Sequence, residues 1–182
     1  HYPTVGWADV GMIAWLVVEW LKDGHPTTLG ACSGAVAGLV AITPCAGFVG
    51  GLSPLYIGLG VGVVCYFAIS MKYRFGYDDS LDVVGVHLVG GLFGTLALGL
   101  FADSSINGLV TNEGLFLGGG ADLLIDQAIA AAATIGFAFV ATMIIGKVID
   151  MTVGLRVSDA DELTGLDLSQ HAEAGYNLAD HS

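Results

Sequence analysis

The 182 residues are 54% hydrophobic and only 12% charged, include 28 glycines, and carry a formal charge of −12. A water-soluble domain of this size needs more polar surface, so the composition excludes an ordinary soluble fold and points to lipid as the solvent. The acidic balance also argues against nucleic acid as a partner.

Apolar runs occur at about 11–21, 28–48, 52–71, 81–101 and 121–149. All but the first are long enough to cross a hydrocarbon core of ~30 Å. This predicts an all-α membrane protein with about five transmembrane helices in residues 1–157 and an acidic tail over 158–182. Cys32, Cys45 and Cys65 fall inside the apolar runs and read as small packing residues, not as a disulfide or metal framework.

The first run ends with Glu19 one turn from Lys22, the spacing of an interfacial ion pair. The second carries Gly30, Gly34 and Gly38 at four-residue spacing, and the third carries Gly58 and Gly62 in the same way. Rows of small residues let helix backbones approach closely, which drives association inside a membrane. Thr43-Pro44 followed by Gly47, Gly50 and Gly51 ends or breaks the second helix near the outer face. A carbonyl freed there either lines a vestibule or simply marks the helix stop.

Before the fourth run, Asp78-Asp79-Ser80 and Asp82 form a helix-start signature, with Asp79 as N-cap and Asp82 placed against the positive end of the helix dipole. His87 lies eight residues beyond Asp79, roughly 12 Å deep at 1.5 Å per residue, close to the membrane midplane. On a helical wheel Val83, Val84, His87, Gly90, Gly91 and Gly94 share one face, while Leu81, Leu88, Leu92 and Leu96 occupy the other. The histidine therefore faces packed protein or a lumen. An ionisable group at that depth is a functional hypothesis by default, weighed against a hydrogen-bonded packing histidine.

All five basic residues fall on one side if crossings alternate: Lys22 after the first helix, Lys72 and Arg74 after the third, Lys147 and Arg156 at the end of the fifth. The positive-inside rule makes that side cytoplasmic, the start of the segment external and the tail internal. Trp20, Tyr73 and Tyr77 sit at these inner boundaries as an aromatic belt. Asp103, Glu113, Asp122 and Asp126 make the opposite surface anionic, either enriching cations at an entrance or forming a solvated acidic loop. No signal peptide is visible and the chain does not begin with Met, so it reads as a processed or excised segment.

The tail from Ser158 has no Lys or Arg and reads as solvated and partly disordered. His171 and Glu173, or His181, do not make a zinc site, which needs four ligands. No metal or cofactor is expected. Asp82 and His87 are five residues apart, on different helix faces, with no nucleophile converging on them, so no enzyme is expected.

Gly85-Val86-His87-Leu88-Val89-Gly90-Gly91 resembles the Gly-Val-His-Gly-Val-Gly-Gly signature of the Amt/Mep/Rh ammonium transporter family, preceded by its Tyr-Asp-Asp-x-x-Asp run at Tyr77 to Asp82. Gly30 to Pro44 is similar to the family's eighth helix, and Asp150 to Val157 to the end of its eleventh. Gly165-Leu166-Asp167, His171, Glu173 and Tyr176 follow the family's tail pattern, whereas His1 to Val10 lacks the pattern that opens its seventh helix.

The resemblance implies the C-terminal part of an Amt protein, helices seven to eleven of an eleven-helix protomer built from two inverted five-helix halves with the conduction path between them. His87 matches the second of the family's paired pore histidines, and Val83 and Thr43 match positions near the path. The first histidine, the phenylalanine gate and the external recruitment site belong to the N-terminal half. The implied setting is the cell membrane and its lipid, the substrate ammonium or ammonia, and the assembly a homotrimer, with a PII-type regulatory protein as a partner at the cytoplasmic face. An Amt-like sensor acting through its tail is the alternative.

Overall fold

The computed structural model describes residues 8–175, so His1 to Trp7, and with them most of the divergent N-terminal stretch, lie outside the described residues, as do Tyr176 and His181 of the tail motifs. Among the described residues the ordered elements are all helical: α1 (Ala8–Asp23), α2 (Thr28–Ile42), α3 (Ser53–Ile69), α4 (Met71–Phe75), a π-helical turn (Val83–Leu88), α5 (Val89–Phe101), a 3-10 turn (Leu115–Leu117), α6 (Asp122–Thr152), α7 (Asp159–Thr164) and α8 (Leu166–His171). Three stretches are long and apolar enough to cross a membrane: Ser53–Phe75, Val83–Phe101 and Asp122–Thr152. Among the described residues α2 is a shorter apolar helix.

The chain divides into two compact units, one running to Ala133 and the other from Thr134, with α6 passing from the first into the second. In the first unit α1, α2 and α3 pack together, and α5 and the π turn lie against α2 and α3. Small residues set these distances. A methyl group added at Gly34 would meet Trp15 Cβ at 2.6 Å and Met12 Cα at 2.9 Å, and one at Gly94 would lie 2.1 Å from the Ala41 carbonyl oxygen. Such overpacking costs about 1–3 kcal/mol when the backbone must move. The spacing seen in the sequence is therefore the contact surface itself. Around it Trp15, Ala37, Ala41, Ile42, Ile57 and Val61 form the buried core. Cys45 and Cys65 are buried there as small hydrophobes, but Cys32 is exposed, and all three are free thiols.

Two expectations are corrected. The second helix stops at Ile42 instead of continuing to residue 48, because Pro44 removes a backbone donor while the Thr43 hydroxyl donates back to the Leu39 carbonyl at 2.6 Å. The chain then leaves through turns, with Gly47 at φ +83°. Glu19 does not pair with Lys22. Its buried carboxylate accepts from the Thr27 amide at 3.1 Å and the Thr27 hydroxyl at 2.8 Å, and Lys22 Nζ lies 5.7 Å from the centre of the Phe67 ring. Thr27 in turn caps α2 by accepting from Gly30 N–H at 2.9 Å. A carboxylate committed to the cap of the next helix satisfies two donors at once, which a solvent-exposed ion pair cannot match.

Side-chain and loop contacts gather element ends of the first unit at two opposite ends. Tyr66 donates to Asp23 at 2.6 Å and Lys72 pairs with Asp82 at 2.6 Å, bringing the ends of α1 and α3 and the start of the π turn to one end. The Asp103 amide donates to the Phe48 carbonyl at 2.8 Å, which joins the loops at the other end. There Glu113 accepts from the amide and hydroxyl of Ser104, and Asp103 from those of Ser105.

In α6, 31 residues long, about 46 Å of helix exceeds the thickness of the hydrocarbon core. No residue of α6 is buried within the chain. In the second unit Ser158 caps α7 by accepting from Asp161 N–H at 3.2 Å, and Arg156 pairs with Glu162 at 2.8 Å.

Candidate functional site

His87 sits in the π turn, which begins where the backbone reverses at Asp82, a non-glycine residue at φ +55°. Aspartate tolerates this left-handed conformation better than most residues. The free amides of the turn's first residues are then taken up by a side chain four positions before the turn: Asp79 Oδ1 accepts from Val83 N–H at 2.8 Å and Oδ2 from Val84 N–H at 2.9 Å. The Val86 amide donates to the Asp82 carbonyl at 2.8 Å. At the far end Val89 N–H reaches back to the Val84 carbonyl, the i→i+5 bond of a π turn.

The turn is seated on α3 by Gly85, where an added methyl group would lie 2.8–2.9 Å from Ile69. Gly85 and Val86 are buried, whereas Val83 is 50% exposed and His87 and Leu88 are exposed. His87 thus departs from the wheel that placed it with Gly90 and Gly94, both of which are buried against neighbouring helices. A π turn advances fewer degrees per residue than an α-helix, so the register before Val89 does not continue the register after it. The imidazole stands on a surface that the described chain leaves uncovered.

Val83 shares that surface. Thr43 is exposed as well, but at a different level. Ala41 on α2 meets Gly94, seven residues past His87 and therefore about 10 Å further along the bundle. The Thr43 hydroxyl donates its hydrogen bond to the Leu39 carbonyl, so what it offers outward is acceptor lone pairs. A neutral imidazole offers one donor and one acceptor. The three exposed positions thus offer one donor–acceptor group, one apolar side chain and one acceptor.

Asp82 occupies the N-cap position without capping. Its carboxylate accepts from Lys72 Nζ, which also donates to the Asp79 carbonyl at 3.0 Å. This pair was not evident in the sequence, where ten residues and a loop separate the partners. The lone lysine beside a run of three aspartates was the available signal. Asp82 also borders a cleft of about 260 Å³ lined by Trp15, Glu19, Asp23, Thr27 and Tyr66 among others. Each of its carboxylates is committed, Glu19 to Thr27, Asp23 to Tyr66 and Asp82 to Lys72.

Comparison with known proteins gives one consistent result. The family profile described as Ammonium Transporter Family matches residues 2–176. A Mycobacterium tuberculosis protein described as an ammonium transporter is 48% identical over 172 residues, covering 92% of this chain and 36% of that protein. The crystal structure of Saccharomyces cerevisiae Mep2 superposes with a TM-score of 0.79 at 30% identity, over 87% of this chain and 36% of its own. A structure described as a Sensor Amt Protein gives 0.81 at 25% identity, over 92% of this chain and 40% of its own. The chain therefore spans less than half the length of each of these three proteins.

Proposed function

This chain belongs to the ammonium transporter family, and from that premise we propose that it forms the C-terminal part of a protomer that carries ammonium nitrogen across the membrane as ammonia past His87. The carrying observation is the placement of His87: an exposed imidazole on the uncovered face of an apolar helix bundle, aimed there by a π turn instead of being absorbed into the core. Moving an ammonium ion into a low-dielectric centre costs more than one hydrogen bond returns. A narrow apolar path therefore favours leaving the proton behind, with a neutral imidazole receiving the ammonia as donor and acceptor. Potassium has no proton to shed and is rejected. Val83 narrows the path beside the imidazole, and Thr43 adds an acceptor further along it.

The uncovered face is where the resemblance puts the N-terminal half, and the same resemblance supports a homotrimer in the cell membrane. The test is flux: the complete protein containing this segment, reconstituted in vesicles, admits ammonium and excludes potassium. A sensor reading is favoured by the fold shared with a structure described as a Sensor Amt Protein, and regulation through the acidic tail at 158–182 by a PII-type protein fits either reading. A complete protein that binds ammonium but passes none would make the sensor reading the right one.

The charge pattern supports the orientation. Lys22, Lys72 and Arg74 gather at one end of the first unit, and that end is proposed as cytoplasmic. Single cysteines at Lys22, Lys72 and Ser158, in a background without the native thiols, are expected to react with an impermeant reagent only from the cytoplasmic side. Those at Ser53 and Asn107 react from outside. Labelling of Ser53 and Lys72 from one side would refute the alternation.

A further inference from the structure

We propose that Lys72 is a positioning residue for His87, holding the turn that aims the imidazole through its bonds to Asp82 and to the Asp79 carbonyl; the proposal rests on the reading of His87 as the polar contact of the path. Lys72 Nζ donates to Asp82 Oδ1 at 2.6 Å and to Asp79 O at 3.0 Å. Those two acceptors bracket the four-residue link that leads into the π turn. Asp79 uses its carboxylate for the amides of Val83 and Val84, and Asp82 carries the left-handed backbone that starts the turn. The Lys72 side chain therefore fastens both ends of the link that leads to His87.

The pair is well placed for this. The Lys72 and Asp82 side chains are 16% and 24% exposed, so water competes weakly for a charge-assisted bond. A second, apolar pin acts on the same turn where Gly85 seats against Ile69. Both pins come from one support, since Ser53–Phe75 runs through Ile69 to Lys72 as a nearly continuous helical stretch. Without Lys72 the Gly85 contact and the Asp79 carboxylate still hold the turn, but the side-chain tie from its entry at Asp82 to the supporting helical stretch is lost. The bundle then folds with an imidazole that samples several directions. Polar groups that handle a substrate lose activity quickly when misplaced by about 1 Å.

The test is ammonium flux per molecule assembled in the membrane, in the complete protein, for Lys72→Met, Asp82→Gly and His87→Ala, and for each of the first two combined with His87→Ala. Glycine is chosen at position 82 because it adopts φ +55° without strain, and Asp82→Asn, which keeps a side chain there, controls for the added backbone freedom. Lys72→Met and Asp82→Gly are each expected to lower flux about tenfold, although they change the local charge in opposite directions. In the His87→Ala background each is expected to change flux by less than about twofold, since effects acting through one residue do not add.

Opposite effects of Lys72→Met and Asp82→Gly would show that Lys72 acts by its charge alone, and equal losses with and without His87 would show a general structural role; either result overturns the proposal. If Lys72→Met does not assemble, Asp82→Gly and the milder Asp82→Asn carry the test, and wild-type flux in both overturns it. Unchanged flux in His87→Ala alone removes the pore reading and the positioning role together. A loss in His87→Ala without any in the Lys72 and Asp82 variants removes the positioning role only.

Discussion

Expressed alone in cells that lack ammonium uptake, this 182-residue chain is expected to give no growth on low ammonium above the empty-vector level, a complete loss relative to a whole protomer. The reason is geometric. The chain spans 36% of the Mycobacterium tuberculosis relative, and the face carrying His87 and Val83 is open. A conduit needs walls on every side, because an ammonia molecule that has left water must stay in a path that excludes ions. In an isolated chain the open face meets lipid or another copy of itself. The interior of the bundle, built on close helix contacts at Gly34, Gly62 and Gly94, is packed within the chain itself, so the expected deficiency is the missing wall.

Co-expression with a matching N-terminal half is expected to restore part of the uptake, because the two halves bury each other's open faces. Uptake by the isolated chain, measured as labelled methylammonium accumulation with the protein confirmed in the membrane, would overturn the reading that half of the path is supplied from elsewhere. Failure of both arms with both halves present and assembled would instead point to the sensor reading.

Much of this arrangement is legible in the amino-acid order because membrane helices advertise themselves by composition. Gly34 and Gly94 could be assigned to helix contacts from spacing alone, since small residues serve few other purposes on an apolar helix. The stop after Ile42 was signalled by Pro44, although its position was blurred by the apolar residues that follow. The π turn was not legible. Six residues, Val83 to Leu88, are too few for an apolar pattern to distinguish an i→i+4 from an i→i+5 repeat, and its cause is the backbone reversal at Asp82, which acts through φ and not through hydropathy. For the same reason the wheel put His87 with the buried glycines.

The Glu19 misassignment has a different origin. Spacing of three along one helix makes Lys22 the obvious partner, but Thr27, beyond the turn at Gly24, offers two donors to the buried Glu19 carboxylate. Local pair rules rank neighbours in sequence, whereas burial ranks them by how many polar atoms each arrangement leaves unsatisfied. The Lys72–Asp82 pair escaped for the same reason, its partners being brought together only when α3 and the π turn meet at one end of the bundle.

Replacing His87 by alanine in a complete protomer is expected to lower ammonium flux at least tenfold while leaving assembly intact. The imidazole is exposed, and the turn around it is fixed by Asp79, Gly85 and Val86, none of which depends on the His87 ring. A packing histidine would behave differently: its loss would cost roughly 1–3 kcal/mol of stability through partners left unsatisfied, and flux per folded molecule would not change. Glutamate is the more discriminating replacement. A carboxylate accepts hydrogen bonds but, when ionised, donates none, and its charge favours a cation where the neutral ring favours ammonia. His87→Glu is therefore expected to admit ions, seen as potassium competing with ammonium for flux, whereas His87→Ala loses flux without gaining potassium. Both readings separate in one experiment if uptake is normalised to assembled protein and potassium is titrated alongside. Unaltered flux and unaltered potassium exclusion in both variants would remove His87 from the path and return it to the ranks of structural side chains.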